Sequence, residues 1–134
     1  MMHTAVLDAY ALMAYLEGEK GADAVTAMFV AAHENEATRI VMSSINWGEV
    51  YYMVLRERGK VCLAEVLSLI SKLPIEIVDP TREDIIAAAE LKATRKMSYA
   101  DCFAAATAKR LKATLVTGDK EFETVAKEIK IRWI

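Results

Sequence analysis

Thr4-Ala5-Val6-Leu7-Asp8-Ala9 and Ala113-Thr114-Leu115-Val116-Thr117-Gly118-Asp119 are the two stretches whose reading decides the fold. Each is a short apolar, β-branched run that ends on a carboxylate and leads into a segment with helical spacing. A strand that reads as a continuous apolar run is buried on both faces, as in a parallel sheet covered by helices. An acid at the carboxyl end of such a strand lies on the edge where open α/β sheets place their ligands.

Working outward, Arg39–Ser43, Ile75–Val78 and Lys130–Ile134 also read as strands. Helical patterns fill the intervals, near Ala9–Leu16, Ala22–Glu34, Asn46–Arg58, Val61–Lys72, Glu83–Arg95, Tyr99–Leu111 and Glu121–Glu128. This alternation predicts an α/β fold, a three-layer α/β/α arrangement around a central, mainly parallel sheet of about five strands. Gly18, Gly21, Gly59, Pro74 and Pro80 fall between the segments as punctuation. No linker, low-complexity tract or repeat divides the 134 residues, so a single domain over 1–134 is expected, ending without a tail.

Composition narrows the class. Hydrophobic residues make up 54% of the chain and mean hydropathy is +0.19. So apolar a surface implies either a covering chain or an Ala-rich helical core. With 17 basic and 19 acidic residues the net charge is −2, which argues neither for nor against nucleic acid. Binding to it would rest on a local basic patch or on metal ions. Cys62 and Cys102 stand alone, without metal or disulfide spacing, which points to a reducing compartment. The longest apolar stretch, Ala24 to Ala32, is too short to span a membrane. Met1-Met2-His3-Thr4 lacks the basic start of a signal peptide, and Asp8 interrupts any apolar region after it. A cytoplasmic location with no membrane partner is the expectation.

Four acids stand at strand-to-helix junctions or in first helical turns: Asp8, Glu49, Asp101 and Asp119. Helix capping is the bland account of each. Asn46-Trp47-Gly48-Glu49 has capping-box spacing, Ser98-Tyr99-Ala100-Asp101 is a weaker version, and Asp8 and Asp119 suit N-caps. Topology favours a second account. In a parallel sheet the strand ends carrying Asp8, Glu49 and Asp119 share one edge, and the helix opened by Asp101 starts near it. Carboxylates within about 4 Å repel by roughly 4 kcal/mol per pair at an effective dielectric near 20, a cost that a bound cation removes. Ligands that are all oxygen, with no His or Cys motif, favour Mg²⁺ or Mn²⁺ over zinc. Such a site suits phosphodiester hydrolysis, because the metal acidifies a water and stabilises charge on phosphate.

These residues resemble the PIN-domain ribonuclease family, in particular the VapC-type toxins of prokaryotic toxin–antitoxin pairs. The similarity runs in order through Val6-Leu7-Asp8-Ala9-Tyr10-Ala11-Leu12, Ser44-Ile45-Asn46-Trp47-Gly48-Glu49-Val50, Ser98-Tyr99-Ala100-Asp101-Cys102-Phe103-Ala104-Ala105-Ala106 and Leu115-Val116-Thr117-Gly118-Asp119-Lys120-Glu121-Phe122. The resemblance implies a metal-dependent endoribonuclease acting on RNA, and an antitoxin protein that blocks its site. It implies that Asp8, Glu49, Asp101 and Asp119 form the catalytic, metal-binding cluster, with Asp8 and Asp101 the foremost direct ligands. Glu49 and Asp119 would ligate directly or through water, or orient the attacking water. Thr117 matches a position whose hydroxyl supports the site, and Asn46 either caps a helix or orients Glu49. Tyr10 departs from the pattern, which commonly has a small hydroxyl residue there.

Among basic residues, Arg56, Arg58, Lys60, Arg95, Lys96, Lys109, Arg110 and Lys112 read mainly as solvated helix ends. Lys120, beside Asp119, is the best placed to touch phosphate. Val50-Tyr51-Tyr52-Met53-Val54-Leu55 is apolar nearly all round, so one face enters the core and the other offers a homodimer or antitoxin surface. His3 and His33 read as surface residues, and Trp133 as packing. Two other functions stay open. A phosphatase or phospho-receiver uses an aspartate after strand one, but its second acid is absent at Tyr10. An inactive PIN-like binding module would keep the fold without the chemistry.

Overall fold

The computed structural model describes residues 3–35 and 37–134. Its strands are β1 (His3–Leu7), β2 (Thr38–Ser43), β3 (Glu76–Val78), β4 (Thr114–Thr117) and β5 (Lys130–Trp133). The helices are α1 (Ala9–Glu17), α2 (Ala22–Glu34), α3 (Ser44–Ser71), α4 (Arg82–Thr94) and α5 (Tyr99–Leu111), with a 3-10 helix at Lys120–Val125. All four strand pairings are parallel, in the order β3-β2-β1-β4-β5. Helices cover both faces, giving the three-layer α/β/α arrangement.

Strand alternation divides the core in two. Ala5, Leu7, Ile40, Met42 and Val116 face one side, where they pack with Leu12, Val25, Phe29 and Val50 from α1, α2 and α3. Val6, Val41 and Leu115 face the other, against Phe103, Ala104, Ala105 and Ala108 of α5 and against Phe122 and Val125. The run of small buried residues lets α5 lie close between the sheet and α4. Each fully buried Leu or Val contributes about 1.5–3 kcal/mol.

The order of the strands locates the ligand edge. From β1 the chain steps outward through β2 to β3, then returns to the other side of β1 for β4 and β5. The direction reverses between β1 and β4. In open α/β sheets the crevice at that reversal is where ligands bind. Asp8 and Asp119 follow the two strands that flank it.

Three local expectations need correction. The helix expected to open at Asn46 begins at Ser44, capped by Ser43, whose hydroxyl accepts the Ile45 N–H at 3.2 Å. Asn46 is therefore inside the first turn and caps nothing. The helix expected over Glu121–Glu128 is a 3-10 helix over Lys120–Val125. Its buried residues, Phe122 and Val125, are three apart, the repeat of a 3-10 helix. Trp133 does not pack inward, because β5 is an edge strand and the indole is 45% exposed. The two helices expected at Asn46–Arg58 and Val61–Lys72 run together as α3, broken at Gly59, where φ is +84°. That region is open to glycine and costly for other residues.

Candidate metal centre

Asp8 is the N-cap of α1. Its Oδ1 accepts the Ala11 N–H at 2.8 Å, and its Oδ2 accepts the Thr117 hydroxyl at 2.5 Å. Because Leu7 pairs with Val116, Asp8 and Thr117 are the next neighbours across the sheet and point to the same face. The Thr117 oxygen also accepts the Asp119 N–H at 3.0 Å. One fully buried hydroxyl thus ties two acids that follow different strands.

Asn46 is buried. Its amide donates to Glu49 Oε1 at 2.9 Å and to the Ala100 carbonyl at 3.1 Å. Both partners are acceptors, so the Nδ2 atom must face them. Asn46 therefore orients Glu49 and pins the entry to α5, and its Oδ1 is buried without a protein partner. The Ser98 hydroxyl caps α5 by accepting the Asp101 N–H at 3.1 Å. Only this half of the expected capping box forms, because the Asp101 carboxyl turns toward Asp119 instead.

Asp8, Glu49, Asp101 and Asp119 line one cavity of about 330 Å³. Glu17, Glu19 and Glu57 line it too, with Tyr10, Met13 and Met53 among the apolar walls. Among the described residues, seven carboxylates and no Lys, Arg or His make up its charged lining. Lys120 is exposed and lies outside that lining.

The electrostatics follow from this crowding. Burial pushes the Asp8 carboxyl up to about 7, against the opposing bonds from Thr117 and Ala11, and the charges of Asp119 and Glu49 add to the rise. Burial likewise pushes Asp101 up to about 8, helped by the charges of Asp119 and Asp8, the hydrogen bond shared with Asp119, and the charge of Glu49. Glu49 is raised by burial and by Asp119, while the Asn46 bond opposes. Carboxyls held against ionisation in a cleft lined by other acids are those that a bound positive charge would favour.

Ligand oxygens of Asp101, Asp119 and Glu121 come within 4.8 Å of one another. This all-oxygen donor set fits a hard divalent cation. Glu121 is not among the four acids that the sequence singles out. The available signal was its spacing of two from Asp119: the Glu121 N–H bonds Asp119 Oδ1 at 2.9 Å, which folds the turn back on itself. Glu17, Glu19 and Glu57 gave no local signal at all.

The described residues agree with known proteins in the same direction. A family model described as a PIN domain matches residues 5–128. Among solved structures, a chain of VapBC2 from Rickettsia felis, bound to a DNA fragment from its promoter, superposes with a TM-score of 0.75. The two are 20% identical over 96% of this chain and 97% of that one. A chain of DNA-bound VapBC from Salmonella typhimurium gives 0.68 at 25% identity, over 98% of both. VapC20 of Mycobacterium tuberculosis, described as a toxin that cleaves the sarcin–ricin loop, gives 0.70 at 14% identity, over 90% of this chain and 94% of that one. No match was found among curated proteins.

Proposed function

The chain belongs to the PIN domain family, and on that premise we propose that it is a divalent-metal-dependent endoribonuclease, the toxin of a type II toxin–antitoxin pair. The reading takes residues 1–134 as one domain acting in the cytoplasm. Among the described residues no helix is long and apolar enough to cross a membrane. The observation that carries the proposal is the convergence of Asp8, Glu49, Asp101 and Asp119 in one cavity at the strand-order reversal.

In this reading Asp8, Asp101 and Asp119 hold Mg²⁺ or Mn²⁺. The bound ion would acidify a water and offset the charge that builds on the phosphate. Thr117 fixes the rotamer of Asp8 and the path of the chain at Asp119. Asn46 leaves Glu49 one oxygen free to orient the attacking water and take its proton. Lys120, exposed beside Asp119, contacts a phosphate flanking the cleaved bond.

Two protein partners complete the proposal. A cognate antitoxin that presents basic side chains suits the cavity mouth, where Glu17, Glu19 and Glu57 add negative charge beyond the central four. A homodimer would cover the outer face of α3, where Tyr51, Tyr52 and Leu55 are exposed while Val50 and Val54 face the core.

The test is cleavage of a mixed RNA pool by the purified chain, with Mg²⁺ or Mn²⁺ and with chelator. Wild type should cleave only with metal, and Asp101→Asn should not cleave at all while keeping the wild-type circular dichroism spectrum. Undiminished cleavage by the folded variant would refute the assignment. Metal that neither binds nor stabilises the chain at millimolar concentration would favour an inactive binding module.

A further inference from the structure

Tyr10 stands two residues after Asp8, on the first turn of α1, and its setting is unlike that of its neighbours. Ala9 and Ala11 are buried, whereas Tyr10 is 43% exposed and lines the cavity that holds the four acids. Its ring is nevertheless held in place. A Cβ built on Gly118 would lie 2.3 Å from Tyr10 Cε1 and 2.6 Å from Cζ, so the ring rests directly on the glycine backbone. Gly118 is the link between Thr117, which bonds Asp8, and Asp119. The aromatic ring is therefore seated on the same segment that carries the site, at a distance from the acids set by the backbone.

The charge of the cavity gives that ring a task. Phosphates entering a mouth lined by Glu17, Glu19 and Glu57 meet repulsion and find no lining cation. Beyond the cation and Lys120, which serve the phosphates, a contact indifferent to charge can hold the flanking nucleotide. Base–aromatic stacking is such a contact, and it tolerates any sequence because every base has a π-face. We propose that Tyr10 is a stacking platform for the nucleobase adjoining the cleaved phosphate, and hence a substrate-positioning residue; this rests on the RNA-cleaving reading above. The ring adds apolar contact in a cavity that also holds the four acids. Gly118 is part of the device, since a side chain there would lift the ring off its seat.

The experiment uses a short RNA that the wild-type chain cleaves with Mn²⁺, with 2-aminopurine or an abasic residue placed in turn at each position around the cut. Quenching of 2-aminopurine at one position flanking the cut is expected in the wild type, and an abasic residue there should raise KM about ten-fold. Tyr10→Leu should raise KM on the intact RNA by a similar, roughly ten-fold factor with kcat changed about three-fold or less, and should lose the quenching. Tyr10→Phe should restore both. The abasic series needs no variant, so a folding defect in Tyr10→Leu leaves the test intact. If the abasic RNAs all match the intact RNA in KM, or a folded Tyr10→Leu matches wild type, the stacking role is overturned while the nuclease reading survives. If the wild type cleaves no RNA, both fall together.

Discussion

Replacing Asp8 by Asn should stabilise the metal-free protein at pH 8 and destabilise it at pH 4. Asp8 is 1% exposed, and its carboxyl is raised from 3.8 to about 7, mainly by burial. The folded chain thus holds this proton more tightly than the unfolded chain does. Stability must fall as pH rises through the interval from 3.8 to about 7, and the cost is complete above it. That interval is about three units, and at about 1.36 kcal/mol per unit the cost is on the order of 4 kcal/mol. Asn escapes it. The substitution also has a loss: the amide oxygen can keep the Ala11 N–H, but one face of the side chain no longer accepts the Thr117 hydroxyl. A buried bond of that kind is worth about 1–2 kcal/mol. The balance at pH 8 is a gain of roughly 2–3 kcal/mol, or about 10 °C in Tm for a domain of this size. At pH 4 only the loss remains, so the sign reverses. Thermal melts of both proteins in chelator at the two pH values read the effect. A variant less stable than wild type at pH 8, or a difference independent of pH, would refute the argument that burial of Asp8 strains the metal-free fold. Added Mg²⁺ should raise the Tm of wild type more than that of the variant.

Two further outcomes follow from the geometry. Asp84 is 2% exposed, completes the capping box with Thr81 at the start of α4, and accepts from Arg110 Nε at 2.8 Å. Burial pushes its carboxyl up, but the Arg110 and Thr81 bonds outweigh burial and hold it below its ordinary value. Its contribution is present above pH 4 and is lost as the solution becomes more acidic. Asp84→Ala should therefore cost about 3 kcal/mol at neutral pH, read as a lower urea midpoint, and less at pH 3. Glu121→Gln should leave Mn²⁺ affinity by calorimetry unchanged if Asp8 completes the ligand set with Asp101 and Asp119; a loss of about ten-fold would place the ion on the Glu121 side, where its oxygen lies within 4.8 Å of those of Asp101 and Asp119.

The readable parts of this sequence were those with local pattern. β1, β2 and β4 are apolar runs closed by Asp8, Ser43 and Thr117, and burial on both faces is what such runs report. Asp101 was readable because Ser98 marks the start of its helix three residues before. Asn46 was ambiguous for a physical reason: Asn46-x-x-Glu49 has the spacing of a cap, and Ser43 had already taken that task. Interactions between distant segments left no trace. Arg110 reads as a solvated helix end, yet it meets Asp84 26 residues away. Tyr10 reads only as a departure until its ring is seen on Gly118. The strand order, which brings β4 beside β1, has no signature in either strand.

That order has a consequence for synthesis. β1 precedes the other described strands in the chain and is the central one in the sheet, but its second neighbour is β4. The bond between Thr117 and Asp8 closes a separation of 109 residues. Until the chain has been made through β4, β1 keeps one open edge, and the pocket lacks Asp119. A fragment released early can neither close its sheet nor assemble its carboxylates, whereas contacts of long sequence separation make the final closure slow. Under the proposed function, cleavage would switch on late and all at once, when β4 slots in, and an interrupted translation product would be prone to pair through its bare strand edge.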